Sequence, residues 1–150
     1  MNDTQRPVTR ANIVASARGW LGTPYHHQAS RRGVGVDCLG LIRGVWRETY
    51  STEAEVPPAY TRDWAEARGE DTLLDAAGRH MTRRTDDARE AGDVVIFRYR
   101  AGVPAKHVGI LTGPRHFIHA MEGVPVSEVA LCNWWQRRIA GVFTFPGVES

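Results

Sequence analysis

Cys38 stands in the run Val36-Asp37-Cys38-Leu39-Gly40-Leu41-Ile42, after a glycine-bearing loop and before a helical pattern. A thiol at a helix start meets backbone N–H groups that lack intrahelical partners and the positive end of the helix dipole, and both favour a thiolate. Such a sulfur is a nucleophile when a neighbouring base manages its proton. Two imidazoles far downstream are candidates: His107 in Lys106-His107-Val108-Gly109-Ile110-Leu111, and His119 in Phe117-Ile118-His119-Ala120. The set points to cysteine acyl transfer. His107, opening an apolar strand, would take the thiol proton and return it to a leaving amine. The turn-like Thr112-Gly113-Pro114-Arg115 would bring His119 alongside, to hold His107 in its productive tautomer. Taken alone, His107 reads better as an exposed strand-end histidine.

Tyr25, in Gly22-Thr23-Pro24-Tyr25, and Asp37 are the candidates for substrate or oxyanion contacts. A packing tyrosine fits Tyr25 as well, and an N-cap fits Asp37. Cys132, in Leu131-Cys132-Asn133-Trp134-Trp135, lacks the helix-start setting of Cys38 and is expected to be a buried structural thiol. His26, His27, His80 and His116 have no assignable partners and are expected to face solvent. Cys38, His107, His119 and Cys132 are also zinc-ligand types, but no C-x-x-C or H-x-x-x-H pair anchors them. Gly33-Val34-Gly35 lacks the third glycine of a dinucleotide fingerprint. No cofactor or metal is therefore expected.

The 150 residues suit one domain with its own core, expected to span 1–150. Nineteen basic against seventeen acidic residues leave a net charge of +2, which gives no case for nucleic acid. Arg31-Arg32 and Arg83-Arg84 read as solvated. Two cysteines make no disulfide framework. No run is long enough to span a bilayer, and Met1-Asn2-Asp3-Thr4-Gln5-Arg6-Pro7 is followed by no signal-like apolar stretch. Synthesis in the cytosol is the expectation.

The elements that must position these groups can be read from spacing. Thr9 caps a helix over residues 10–21 with Ile13, Val14, Ala17, Trp20 and Leu21 inward, stopped at Gly22. Asp37 caps a second over 38–49, its apolar face Cys38, Leu41, Ile42, Val45 and Trp46. Beyond the Pro57-Pro58 break, 61–80 read as helical, with Trp64, Leu73, Leu74 and Ala77 inward. Gly92-Asp93 reads as a structural turn before Val94-Val95-Ile96-Phe97, the first of four short β-rich runs. The others begin near 108, 117 and 139, and an edge strand containing Pro125 is expected over 124–131. Helices first and strands second imply an α+β fold, N-terminal helices packed on an antiparallel sheet.

Five motifs in this order carry a family resemblance: Leu21-Gly22-Thr23-Pro24-Tyr25, Asp37-Cys38-Leu39-Gly40-Leu41, Ala91-Gly92-Asp93-Val94-Val95-Ile96-Phe97, His107-Val108-Gly109-Ile110 and Ile118-His119-Ala120. The chain resembles the NlpC-type cell-wall cysteine peptidases, papain-like bacterial and phage enzymes that cut peptidoglycan stem peptides, over about residues 12–145. The resemblance implies Cys38 as nucleophile, His107 as base, His119 as its orienting partner, Tyr25 as an active-site tyrosine and the Cys38 backbone N–H as an oxyanion donor. It implies hydrolysis of an amide bond through a thioester, typically between D-γ-glutamate and diaminopimelate. The chain departs from the family with Leu39 where serine is usual, His26-His27-Gln28-Ala29 where Gly-Gly follows the tyrosine, and Ala91 in the Pro-Gly-Asp turn. These departures resemble the branch found in phage tails and gene transfer particles. That branch implies tail hub or tip proteins as partners and delivery to the wall by a tail. A silent tail-tip binding protein and an amidase or acyltransferase of related fold are the competing readings.

Overall fold

A computed structural model describes residues 7–54 and 72–148. Helix α1 is Arg10–Arg18, capped by Thr9, whose hydroxyl accepts from the Asn12 N–H at 3.1 Å. It ends three residues earlier than its apolar spacing suggests. Gly19 closes it, Trp20 turns inward to 1% exposure, and Leu21 is left outside rather than in the core. A hairpin of β1 (Ser30–Arg31) and β2 (Gly35–Val36) then leads into α2 (Cys38–Tyr50). Helix α3 covers Thr72–His80 with Leu73 and Ala77 buried; the part of the expected 61–80 helix before it, with Trp64, lies outside the described residues.

The rest is one antiparallel sheet. Its strands are β3 (Thr82–Arg84), β4 (Val94–Phe97), β5 (His107–Gly113), β6 (His116–Met121), β7 (Val124–Ala130) and β8 (Ile139–Thr144), in the order β3-β8-β4-β5-β6-β7. A short helix α4, Asn133–Gln136, precedes β8. The α+β arrangement expected of helices followed by strands is the one found. Pro125 lies on β7 at the sheet edge, where a missing N–H breaks no ladder.

Both faces of the central strands are covered, which is why they read as unbroken apolar runs. Val94 and Ile96 join Ile13, Trp20, Leu41, Val45 and Ile110 beneath the helices, while Val95 and Phe97 join Leu111, Phe117 and Val142 on the other face. Two glycines let α2 sit close. A Cβ on Gly44 would stand 2.1 Å from the Trp20 ring, and one on Gly40 2.0 Å from the Ala29 carbonyl. The Gly92-Asp93 turn is structural, as expected. Gly92 has φ +87, and the fully buried Asp93 carboxylate meets Arg10 at 2.8 Å and the Thr144 hydroxyl at 2.7 Å, tying α1 to the sheet.

Candidate active site

The N-terminus of α2 is built by Asp37. Its Oδ1 accepts from the Gly40 N–H at 2.7 Å and its Oδ2 from the Gln28 N–H at 2.8 Å, so one carboxylate caps the helix and pins the preceding loop. Asp37 is 3% exposed and carries negative charge, so it is suited to positioning Cys38 and not to meeting an oxyanion. Cys38 keeps some surface while its sulfur is packed among protein atoms. The N–H groups of Cys38, Leu39 and, from β5, Val108 reach that sulfur.

His107 and His119 share the sheet face that carries Phe97 and Phe117. In the register that pairs Ile110 with Ile118 they are diagonal neighbours, and His107 Nε2 lies 2.8 Å from His119 Nδ1. They are 4% and 6% exposed. Gly109 leaves the room: a Cβ there would meet the Ile118 carbonyl and the Phe117 ring at 2.8 Å. His107 is stacked between aromatic rings, with centroids at 5.5 Å to Trp135, 5.9 Å to Phe97 and 6.0 Å to Tyr99. Sequence reasoning passed over this cage. Its signal was present in Phe97-Arg98-Tyr99 and Trp134-Trp135, but which rings meet which imidazole depends on the β4–β5 and β4–β8 pairings.

Cys38, His107, Tyr25 and Asp37 line one cleft of about 860 Å³, together with His27, Tyr99, Lys106, Met121 and Glu122. His119 sits behind His107. His27, expected in solvent, is half-buried at the cleft wall with Nδ1 4.0 Å from Asp37 Oδ2. His80 packs edge-on to Trp46 at 6.0 Å, whereas His26 and His116 are exposed.

Burial decides the protonation state. It pushes the Cys38 thiol up to about 12, with the Asp37 charge adding to the effect; the three backbone donors pull the other way and are outweighed. The expectation that a helix start leaves Cys38 a ready thiolate is therefore corrected: the helix-end donors are present, but desolvation is larger. Burial lowers His107 to about 3, helped by His119, and lowers His119 to about 4. At neutral pH the cleft thus holds a neutral thiol and neutral imidazoles.

Cys132 is the second correction. It is exposed, not buried, and occupies the N-cap position of α4, where the Trp135 and Trp134 N–H groups draw its thiol below the usual range. Of the two tryptophans after it, Trp134 is 43% exposed and Trp135 turns toward the sheet. Arg31, Arg32 and Arg83 are exposed as expected, Arg84 is half-buried, and the pairs are not idle: Arg32 pairs with Glu48 at 2.6 Å, and Arg84 with Glu90 at 3.1 Å. Among the described residues no group of three or more His, Cys, Asp or Glu is arranged to hold a metal ion, and no helix is long and apolar enough to cross a membrane.

The NlpC/P60 family model matches residues 22–144. The murein DD-endopeptidase MepS/murein LD-carboxypeptidase of Escherichia coli (strain K12) is 28% identical over 130 residues, covering 85% of this chain and 59% of that protein. The probable endopeptidase NlpC of the same organism is 29% identical over 128 residues, covering 85% and 72%. The chain thus spans about three-fifths of the first relative's length. Among solved structures, the NlpC/p60 domain of peptidoglycan hydrolase SagA has a TM-score of 0.65 at 23% identity, over 92% of this chain and 100% of that one. An NlpC/P60 family protein from Bacillus cereus has a TM-score of 0.69 at 17% identity, over 94% and 41%. At those identities the structural likeness establishes the fold.

Proposed function

The chain belongs to the NlpC/P60 family, whose members are cysteine peptidases acting on peptidoglycan, and from that premise we propose that it is itself a peptidoglycan endopeptidase working through Cys38, His107 and His119. The observation that carries this reading is the buried 2.8 Å contact between His107 Nε2 and His119 Nδ1 at the wall of the cleft that holds Cys38. With the proton on Nε2 donated to His119, His107 Nδ1 carries the lone pair and is the nitrogen left for the thiol.

The proposed reaction begins from the neutral pair. As Sγ attacks the scissile carbonyl carbon, its proton passes to His107 Nδ1, and the new oxyanion is held by the first-turn N–H of Cys38. Collapse expels the amine, which takes the proton from His107 and leaves a thioester. Water then attacks, His107 accepts its proton, and breakdown returns that proton to the sulfur. His119 stabilises the imidazolium, and the aromatic stack fixes the ring plane. Tyr25 would contact substrate from the opposite wall. The proposed scissile bond joins D-γ-glutamate to diaminopimelate.

Mass spectrometry of muropeptides treated with wild type and Cys38→Ser tests the reading. New amine and carboxyl termini at that bond, absent with the variant, are expected. His119→Ala should lower kcat by about a hundredfold, the low end for a general-base assembly, with His119→Asn restoring part of it. Binding of purified sacculi without soluble fragments would instead support a silent wall-binding protein.

We also propose that the chain serves in a phage tail or gene-transfer particle and reaches the wall from there. Leu39, His26-His27-Gln28-Ala29 and Ala91 favour this branch. Peptide mapping of purified particles should find the chain in the tail fraction, and its absence from particles would end the idea.

A further inference from the structure

Across Tyr99 from the cleft lies a hollow of about 940 Å³ walled by Arg98, Arg100, Arg137 and Arg138, with no acidic residue in its lining. Resting on the peptidase reading above, we propose that this hollow is an anion subsite that holds a free carboxylate of the stem peptide during cleavage.

The cluster is assembled by the sheet. Phe97 pairs with Ile139 across a register shift, and the Arg98 N–H donates to the Arg138 carbonyl at 2.8 Å, so the residues after β4 and those before β8 meet at one rim. Arg138 donates to the carbonyls of Tyr99 at 3.1 Å and Trp134 at 2.8 Å, with its guanidinium 3.7 Å from the Trp134 ring centre. Arg98 donates to the Val103 carbonyl. Neutral carbonyls hold the Arg138 guanidinium in place without cancelling its charge. Arg100 and Arg137 are exposed, and neither side chain meets a carboxylate among the described residues. In a chain whose basic and acidic residues nearly balance, the Arg100, Arg137 and Arg138 guanidiniums around one concavity repel one another unless an anion enters.

Location and chemistry name the anion. Tyr99 lines both the hollow and the cleft, and its ring stacks on His107 at 6.0 Å. Lys106 lies 5.8 Å from the centre of the same ring. A substrate over Cys38 can therefore reach the arginines one aromatic ring away. A γ-glutamyl linkage leaves the α-carboxylate of that glutamate free, and diaminopimelate brings carboxylates of its own. Guanidinium forks match carboxylates with paired hydrogen bonds. A single concavity suits one such group better than a repeating phosphate backbone.

The test uses the full chain and three synthetic stem peptides: all carboxylates free, the glutamate α-carboxylate amidated, and the diaminopimelate carboxylate amidated. Arg100→Gln/Arg137→Gln is expected to lower kcat/KM on the free peptide about tenfold, mainly through KM, as for loss of a charge-assisted hydrogen bond. Amidating the carboxylate that the hollow holds should cost wild type a similar factor, and the two losses should not add. Which amidated peptide shows this identifies the group. Arg31→Gln/Arg115→Gln, the same charge change elsewhere, should stay within about twofold of wild type. Titration calorimetry of the free peptide onto Cys38→Ser, with and without the double substitution, reads the subsite without turnover. Unchanged affinity there, or an equal loss from the Arg31/Arg115 control, overturns the subsite. Weakened binding without cleavage by wild type would keep the subsite and sink the peptidase reading instead.

Discussion

At the scale of single residues, the chemistry turns on which of two thiols is the reactive one in solution. A resting Cys38 protonated by burial and by Asp37 should alkylate slowly at neutral pH, while exposed Cys132, with its lowered thiol, should alkylate first. Iodoacetamide labelling followed by peptide mapping reads this order. Cys38 labelling ahead of Cys132 at pH 7 would mean that an ion pair with His107 forms before substrate arrives. Asp37→Asn tests the cause. It keeps an oxygen for the Gly40 N–H and removes the charge, so the pH at which Cys38 labels should fall. Loss of the Gln28 bond should cost about 1 kcal/mol in urea unfolding.

At the scale of elements, the sulfur's position follows from how closely α2 approaches the layer beneath it. Gly44 against Trp20 and Gly40 against Ala29 set that approach. Gly44→Ala gains helix propensity worth about 1 kcal/mol but drives a methyl into the Trp20 ring, an overpacking that costs about 1–3 kcal/mol. A net loss of stability by urea unfolding is expected. A stabilised Gly44→Ala would show that the ring has somewhere to go. Moving α2 outward would also draw Cys38 from the Val108 N–H, so activity should fall with stability in that variant.

For the whole molecule, the buried thiol and imidazoles of the cleft set a window of stability against pH. An unfolded histidine titrates near 6.5, whereas His107 and His119 stay neutral down to about 3 and about 4. Between those values the unfolded chain binds more protons, so stability falls as pH drops below about 6.5. At the other end an unfolded thiol ionises near 8.5, while folded Cys38 holds its proton to about 12, so stability falls again as pH rises between those two values. The melting temperature should be highest between about 6.5 and 8.5. Cys38→Ser should remove part of the alkaline fall, and an unaltered alkaline limb in that variant would mean that other groups, such as Tyr50 and Tyr99, dominate it.

Much of this was legible from residue order because the signals are local. A cap at Thr9 and at Asp37, the period-3.6 face of α2, and the apolar runs of β4, β5, β6 and β8 each depend on neighbours a few positions away. The edge position of Pro125 follows from a missing donor. Pairing across the sheet is different, because it sums contacts between segments that no local pattern relates. The 2.8 Å imidazole pair, the aromatic stack on His107, the exposure of Cys132 and the gathering of four arginines around one hollow all arise there. So does the proton on Cys38, since a helix start is a local property and desolvation belongs to the packed molecule.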